Sequence, residues 1–361
     1  MSWIAYYAPL KPPDHPNPSG DREMARNLQT AIARATGLPL RLASHLRSRD
    51  GQGDAASQDQ LIASAAEIAH TLITEWSAAP PRLWATYHNY YKAPDLIGPQ
   101  VAQALSIPYV LIEATRARKR LTGDWARFAA RAEAATDAAN VVFYMTAHDR
   151  ETLERDRPDH QALVHLPPFL MAEALPDAGS RDGAMLSVGM TRPGDKLESY
   201  RLIAQSLGLL THQIWRLDIA GDGPAMPEVA RLMRPFGDRV RFLGALSRSE
   251  LDEAYGAASL FLWPGVNEAY GMVYLEAQAA GLPVVAQNRP GVRDVLSTPA
   301  QPSPDDGPNG LARRIDTLLS DAALRRSEGD QAREYVTRHH LLPSAIHTLT
   351  LALKPLLDQS P

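Results

Sequence analysis

Short apolar runs alternate with longer amphipathic stretches along the whole chain. In the first half, five such runs predict strands at Trp3–Ala8, Arg82–Tyr87, Pro108–Ile112, Val141–Met145 and Leu163–Leu166. In the second half, five more predict strands at Met185–Val188, Trp215–Ala220, Val240–Leu243, Leu260–Trp263 and Pro283–Ala286. Short apolar runs separated by helical stretches are typical of a parallel sheet built from repeated strand–helix units.

The stretches between these runs have the spacing of amphipathic helices. In Asp21–Ala35 an apolar residue recurs every four positions, which forms one apolar stripe. Ser57–Ala78 predicts a second helix, and Pro343–Leu357 predicts a third near the end of the chain. For this last helix two arrangements are open, packing on the domain that precedes it or crossing back to the N-terminal domain.

The strand–helix pattern is interrupted once, near the middle of the chain. Pro167-Pro168-Phe169 and the polar, turn-rich segment Ala174–Gly183 separate its two halves. A chain of 361 residues also favours two cores over one. We therefore predict an α/β fold with two Rossmann-like domains facing a cleft. The N-terminal domain spans residues 1–170, the C-terminal domain 171–341, and a C-terminal helix and tail 342–361.

Composition and charge limit the classes of function. Apolar residues are 45% and charged residues 22% of the chain, as in ordinary globular proteins. The net charge of −4 gives no sign of a nucleic-acid partner. Cysteine is absent, which excludes disulfides and thiolate metal sites and agrees with a reducing compartment. Without a signal-peptide pattern or an apolar window of about eighteen residues, we expect a soluble cytoplasmic protein.

The segment from Trp263 to Gly281 carries the strongest chemical signal. A strand is predicted to end at Trp263, a loop holds Glu268, and a helix follows from about Gly271 until Gly281. Amides at the start of such a helix, beside a parallel sheet edge, favour a phosphate. Glu268 and Glu276 would lie roughly 12 Å apart along a helix. That separation exceeds the about 5–9.5 Å of a carboxylate pair acting on one atom, so the two suit opposite ends of an extended ligand.

The run Asn267-Glu-Ala-Tyr-Gly-Met-Val-Tyr-Leu-Glu276-Ala resembles the retaining GT-B glycosyltransferases, specifically glycosyltransferase family four. The resemblance implies a nucleotide-sugar donor, with Glu268 contacting the transferred sugar and Glu276 contacting the ribose. It also implies that five consecutive backbone units face the diphosphate and sugar, those of Ala269, Tyr270, Gly271, Met272 and Val273.

Two other segments follow the same family in order. Ser187-Val-Gly189-Met-Thr-Arg192-Pro-Gly-Asp-Lys196 resembles the strand and loop that supply basic residues to the leaving diphosphate. Lys196 matches the lysine of the family. The usual arginine after the glycine is Met190 here, so either Arg192 replaces its charge or neutralisation of the diphosphate rests more on Lys196 and the helix start. Gly244 and Leu246 lie in a segment that resembles the strand and turn beside the nucleobase.

The first half is expected to bind the acceptor. Gly20 resembles the glycine loop that approaches the donor phosphate, although a plain helix cap by Ser19 or Asp21 explains the segment equally well. Tyr87-His88-Asn-Tyr90-Tyr91-Lys92 follows a strand, and its aromatic rings can stack on a sugar. His88 is either a structural histidine or an acceptor-facing one. Glu113 is the only candidate where the family often has a histidine.

A basic run precedes and enters a predicted helix in the first half. It could hold a phosphorylated lipid acceptor or make weak peripheral contact with an anionic membrane, or it is a solvated face. Its six cationic residues are Arg116, Arg118, Lys119, Arg120, Arg127 and Arg131.

The predicted function is therefore retaining transfer of a hexose-type sugar to a glycan or glycolipid acceptor. The resemblance implies a front-face substitution in which the leaving phosphate oxygen takes the proton of the acceptor. No Asp-x-Asp motif is placed to hold a divalent metal, and no cofactor is expected besides the donor. Two alternatives stay open, a nucleotide-sugar epimerase or hydrolase on the same fold, and a nucleotide-sugar-binding protein with weak catalysis.

Overall fold

The computed structural model describes residues 2–16, 19–298 and 300–359, with no side chain described for residue 359. Its contacts divide the chain into an N-terminal unit, which ends at Pro167 and includes the segment from Leu342 onward, and a C-terminal unit, Pro168–Leu341. Six residues of the predicted ranges lie outside the described residues, namely Met1, Asn17, Pro18, Pro299, Ser360 and Pro361.

The N-terminal unit contains a parallel sheet of six described strands in the order β2-β1-β3-β4-β5-β6. The strands are β1 Ile4–Tyr7, β2 Leu40–Leu42, β3 Leu83–Asn89, β4 Tyr109–Ala114, β5 Val141–Tyr144 and β6 Ala162–His165. β2 was not predicted. It has three partly exposed residues at the sheet edge, too few to show a strand pattern in the sequence.

Helices cover the sheet of the N-terminal unit. They are α1 Gly20–Thr36, α2 Ala55–Trp76, α3 Gly98–Leu105, α4 Ala126–Ala138 and α5 Ala147–Arg155, with a 3₁₀ turn at Arg118–Arg120. The apolar stripe predicted for α1 is buried, since Met24, Leu28 and Ile32 have at most 1% exposure.

The last helix, α12 (Leu342–Gln359), belongs to the N-terminal unit. It packs on α1, where the Thr350 hydroxyl donates to the Ala35 carbonyl at 3.2 Å. The Arg82 guanidinium also donates to the Leu357 carbonyl at 2.5 Å. Of the two predicted arrangements, the structure therefore shows the one in which the C-terminal helix returns to the N-terminal domain.

The C-terminal unit has a second parallel sheet in the order β11-β10-β7-β8-β9. Its strands are β7 Met185–Val188, β8 Leu217–Ala220, β9 Val240–Gly244, β10 Phe261–Leu262 and β11 Val284–Val285. Its helices are α6 Asp195–Leu207, α7 Met226–Met233, α8 Arg248–Ala257, α9 Met272–Ala279, α10 Gly307–Ser320 and α11 Ala322–His339. All five strands predicted in this half are present. Within the described residues, no helix has the length and apolar character needed to cross a bilayer.

A buried carboxylate fixes the start of α3 in the N-terminal unit. Asp95 is 2% exposed and accepts hydrogen bonds from the Thr86 and Tyr109 hydroxyls at 2.6 and 2.8 Å. The same side chain accepts from the amides of Ile97 and Gly98 at 2.9 and 2.8 Å. Burial raises the pKa of Asp95, while these hydrogen bonds act to lower it.

Replacing Asp95 with alanine should lower the free energy of unfolding by about 3 kcal/mol, because it leaves several buried donors without an acceptor. Equilibrium urea unfolding monitored by circular dichroism measures the change. Asp54→Ala is a suitable comparison, because Asp54 caps α2 from an exposed position through the Ser57 amide. Equal losses in the two variants would contradict the structural importance of the Asp95 network.

Candidate functional site

Three loops meet closely at the carboxyl ends of β7, β8 and β10. A Cβ atom on Gly189 would lie 2.7 Å from the Trp263 ring, and one on Gly221 would lie 2.0 Å from the Gly189 carbonyl oxygen. A Cβ atom on Gly265 would lie 2.3 Å from the Tyr274 hydroxyl. Gly221 and Gly265 also have positive φ angles of 137° and 78°. Side chains at these positions would separate the loops, so the glycines allow the site to form.

Glu268 is held by two contacts at this edge of the sheet. Its Oε1 accepts a hydrogen bond from the Trp263 indole at 2.9 Å and forms an ion pair with the Lys196 ammonium. The Lys196 Nζ also lies 5.3 Å from the Trp263 ring centroid. The structure thus brings together the residues predicted to contact the sugar and the diphosphate.

The loop that carries Glu268 is attached to the first turns of α6. The Asn267 amide donates to Asp195 at 2.8 Å, and the Val266 backbone amide donates to the Ser199 hydroxyl at 3.2 Å. Asn267 has a φ of 51°, a left-handed conformation that asparagine tolerates well. Lys196 and Glu268 are therefore fixed by the same pair of elements.

The start of α9 provides backbone donors beside Glu268. Gly271 precedes the helix with φ 77°, and the helix begins at Met272. The first amides of a helix have no acceptor inside it and carry partial positive charge. Ala269 is packed against Gly291, where a Cβ atom would lie 1.7 Å from the Ala269 carbonyl oxygen. Tyr270 is 9% exposed and Val273 lies in the first turn.

Glu276 lies on α9 and has different partners. Its Oε1 accepts from the Arg248 guanidinium at 2.7 Å, and its Oε2 accepts from the Tyr255 hydroxyl at 3.1 Å. Burial is the main cause of the raised pKa of Tyr255, so that hydroxyl remains a donor. Arg248 also pairs with Asp252 at 2.9 Å.

The sequence patterns do not identify Arg248 and Tyr255 as residues of the site. Ser247 caps α8 and Glu250 completes its capping box, so the helix start could be found. Arg248, Asp252 and Tyr255 then share one helix face by their i, i+4 and i+7 spacing. The sequence pattern does not predict that this face contacts Glu276.

Other predicted donor residues lie around this edge. Arg192 is exposed in the β7–α6 loop, and its carbonyl accepts from the Leu197 amide at 3.1 Å. Among the side-chain contacts that the structure describes, none joins Arg192 to Glu268. Gly244 ends β9 with φ 68°, and its carbonyl accepts from the Gly221 amide at 2.7 Å. Leu246 is half-buried just before α8.

In the N-terminal unit, His88 and Glu113 lie side by side near the ends of β3 and β4. Their flanking residues are paired, Tyr87 with Ile112 and Asn89 with Ala114. His88 Nδ1 lies 3.8 Å from Glu113 Oε1, and the two side chains are 18% and 11% exposed. Both residues have positive φ, 72° and 59°. Such backbone conformations are uncommon outside glycine and often mark functional sites.

Gly20 begins α1, and the Ser19 hydroxyl accepts from the Arg22 amide at 3.3 Å. The helix-cap interpretation of this segment is therefore confirmed. A Cβ atom on Gly20 would meet no atom within 4 Å, so packing does not require glycine there. Its approach to the donor stays a prediction.

The basic run of the N-terminal unit is partly neutralised. Arg116 pairs with Glu133 at 2.5 Å and with Asp137 at 2.6 Å. Arg118 pairs with Asp156 at 3.0 Å, and Arg127 pairs with Asp59. The run therefore presents less positive charge than the sequence implied, and peripheral membrane contact stays a prediction. In the parts of the chain that the structure describes, no group of three or more His, Asp or Glu side chains could hold a metal ion.

In the folded protein, His88 should remain neutral at a lower pH than a histidine of the unfolded chain does. Burial lowers its pKa, opposed by the nearby carboxylates of Asp21 and Asp149. Because the folded pKa lies below the unfolded value of about 6.5, stability is complete above that pH and is lost as the pH falls toward the folded pKa. His88→Asn keeps a residue that tolerates positive φ and should weaken this loss.

Urea unfolding of the wild type and of His88→Asn at pH 7.5 and 5.5 measures this effect. The free energy of unfolding of the wild type should fall by about 1.4 kcal/mol for each pH unit by which the folded pKa of His88 lies below its unfolded value. His70→Asn is the matched control, since His70 is exposed on α2. If His88→Asn loses as much stability as the wild type on acidification, the histidine is not held neutral by its surroundings.

Comparisons with known proteins find a matching family model and several relatives. Residues 184–321 match the model of a family described as Glycosyl transferases group 1. An exopolysaccharide phosphotransferase from Streptomyces coelicolor is 31% identical over 213 residues, which are 56% of this chain and 22% of that protein. A D-inositol 3-phosphate glycosyltransferase from Streptomyces bingchenggensis is 26% identical over 326 residues, 80% of this chain and 70% of that protein. The chain spans about a quarter of the length of the first two curated relatives it matches.

Solved structures share the architecture at low identity. The sucrose-phosphate synthase of Thermosynechococcus elongatus aligns with a TM-score of 0.73 at 17% identity, over 99% of this chain and 100% of that one. Anabaena HepE, solved in complex with UDP and glucose, aligns with a TM-score of 0.67 at 14% identity, over 99% and 100% of the two chains. These likenesses establish the fold, two Rossmann-like α/β domains of the GT-B type.

Proposed function

Since residues 184–321 match the model of the family described as Glycosyl transferases group 1, we propose that this chain is a retaining glycosyltransferase. It transfers a hexose-type sugar from a nucleotide diphosphate sugar to a glycan or glycolipid acceptor. One observation carries the proposal. Glu268, held by Lys196 and Trp263, and Glu276, held by Arg248 and Tyr255, lie on either side of the first turn of α9.

In this proposal the donor lies along the start of α9. Glu268 accepts hydrogen bonds from sugar hydroxyls and Glu276 from ribose hydroxyls. The diphosphate between them meets the amides of Met272 and Val273 and the Lys196 ammonium, since helix N-termini and cations both favour phosphate. Lys196 is 29% exposed beside Glu268, so it can move toward phosphate without becoming buried unpaired.

The ribose competes with Arg248 for Glu276. The Arg248 side chain is 64% exposed, whereas that of Glu276 is 15% exposed. Arg248 can therefore leave Glu276 at low cost, because water and Asp252 remain available to its guanidinium. Tyr255 stays to orient the carboxylate from within the unit.

The chemical step is a front-face substitution at the anomeric carbon. The bond from that carbon to the diphosphate oxygen breaks as a bond to the acceptor oxygen forms on the same face. Lys196, Arg192 and the α9 amides stabilise the charge on the leaving diphosphate. The leaving oxygen takes the proton of the acceptor hydroxyl, so neither a protein base nor a metal ion is required. His88 and Glu113 orient the acceptor, and the reaction takes place in the cytoplasm.

A thermal-shift screen with UDP, GDP, ADP and CMP should identify one nucleoside diphosphate that stabilises the wild-type protein. At one hundred times its dissociation constant, that ligand contributes about 2.7 kcal/mol. Glu276→Ala should bind it at least about tenfold more weakly, because hydrogen bonds to a carboxylate contribute about 1.5–3 kcal/mol. Glu253→Gln is the matched control, since Glu253 is exposed on α8.

Turnover assays with the sugar conjugates of the identified nucleotide then separate the alternatives. The proposal expects product of retained anomeric configuration, no donor consumption without acceptor, and full activity in excess EDTA. Consumption of donor without acceptor would indicate a hydrolase or an epimerase. Equal nucleotide affinity of Glu276→Ala and Glu253→Gln would show that the donor site has been placed wrongly.

A further inference from the structure

A row of aromatic side chains extends outward from His88 in the N-terminal unit. The ring of Tyr90 lies 4.9 Å from that of His88, Tyr91 lies 5.6 Å from Tyr90, and Trp125 lies 5.8 Å from Tyr91. We call Tyr90, Tyr91 and Trp125 the aromatic row. It begins at the residue pair that we assign to the acceptor and continues along one surface of the unit.

Three cations accompany the aromatic row. The guanidinium of Arg120 lies 5.1 and 5.5 Å from the ring centroids of Tyr91 and Trp125, and the Lys92 ammonium lies 5.7 and 5.2 Å from the same centroids. The Arg49 guanidinium acts on the Tyr90 hydroxyl, where it opposes the rise in pKa that burial causes. In the described ranges 2–16, 19–298 and 300–359, none of the three cations forms an ion pair with a carboxylate.

This arrangement differs from the neighbouring basic residues. Arg116, Arg118 and Arg127 each have a carboxylate partner within the unit. Arg120, which lies between them in sequence, contacts aromatic faces, and its Nε is buried with no hydrogen-bond partner among the described atoms. Arg120 therefore brings to the aromatic row a positive charge that no described carboxylate neutralises.

The aromatic row is supported by a network that does not involve these cations. The Trp125 indole lies 3.4 Å from the Asp50 carbonyl oxygen. The buried Gln58 amide donates to the Asp50 carboxylate at 2.8 Å and to the Asp124 carbonyl at 3.0 Å. A Cβ atom on Gly53 would lie 2.6 Å from Asp124 Cβ. The Trp125 end of the aromatic row is therefore positioned before any ligand binds, as an effective binding site requires.

We propose that the aromatic row and its three cations form an acceptor subsite for a sugar that carries an anionic group, a phosphate monoester or a carboxylate. The sugar ring packs against Tyr90, next to His88 and Glu113. The anionic group is bound by Arg120, Lys92 and Arg49. That the bound sugar is the acceptor rests on the proposed function, whereas binding of an anionic sugar at these residues does not.

The cations should bind an anion more strongly than they bind the aromatic rings. Contacts between a cation and an aromatic face are weak when partly exposed, whereas hydrogen bonds from arginine to phosphate are shorter and stronger. Arg120 and Lys92 can turn from the rings toward an anion while their aliphatic stems stay in place. A neutral sugar would offer these three cations no charge partner.

Isothermal titration with glucose 6-phosphate, glucuronate and glucose tests the subsite. The wild type should bind at least one anionic sugar at least tenfold more tightly than glucose. Arg120→Gln and Lys92→Gln should each weaken that binding about tenfold, the effect expected for loss of a charge-assisted hydrogen bond. Lys119→Gln is the matched control, since Lys119 is exposed next to Arg120 but lies outside the aromatic row.

Four results would overturn the proposal. They are equal weakening in Arg120→Gln and Lys119→Gln, equal affinity of wild type for glucose and the anionic sugars, no measurable binding of either anionic sugar, and binding only to vesicles of phosphatidylglycerol. The last would assign the cations to a lipid surface. Nucleotide binding in the thermal-shift screen is measured independently, so failure of this subsite is distinguishable from failure of the donor assignment.

Discussion

The indole of Trp263 fixes the donor side of the C-terminal unit. It is fully buried at the end of β10, its ring fills the space left by Gly189, and the Tyr200 ring lies 5.1 Å away. Its Nε1 holds Glu268, and its carbonyl accepts from the Tyr274 hydroxyl at 3.0 Å. One rigid aromatic side chain therefore ties β7, α6, the Glu268 loop and α9 together. Such support lets charged groups keep their positions as a ligand changes.

The charges of this site are balanced locally before a donor binds. Lys196 pairs with Glu268, and Arg248 pairs with Glu276. Each carboxylate also accepts from a neutral donor that stays in place, Trp263 in one case and Tyr255 in the other. In the binding mode that we propose, a donor replaces the two cations and neither carboxylate is left buried and unpaired, the situation that costs most free energy.

Two uncommon backbone conformations lie at one end of the sheet in the N-terminal unit. His88 and Glu113 both adopt left-handed backbone conformations inside strands that are otherwise regular. The hydrogen bonds of Asp95 hold the chain just beyond β3. Because the chain is held beyond β3, the side chains of His88 and Glu113 keep their positions. The aromatic row continues from His88. The two features together form the surface on which we place the acceptor.

The amino-acid sequence alone is enough to predict the parallel α/β units, the position of nearly every strand, and the segment from Trp263 to Gly281 with its two carboxylates. These features are local, since hydrophobic period, turn residues and cap residues act over a few neighbouring positions.

Four features depend on how the elements pack in the fold. They are the short edge strand β2, the return of α12 to α1, the pairing of Arg248 with Glu276, and the position of Arg120 among aromatic rings. Arg120 shows the difference well, because in sequence it is one of six similar cations and in the fold it contacts aromatic faces instead of a carboxylate. The pairing of Arg248 with Glu276 joins residues 28 positions apart, and that of Thr350 with Ala35 joins residues 315 positions apart. No local pattern encodes which of many charged or apolar residues will meet, because that depends on how whole elements pack.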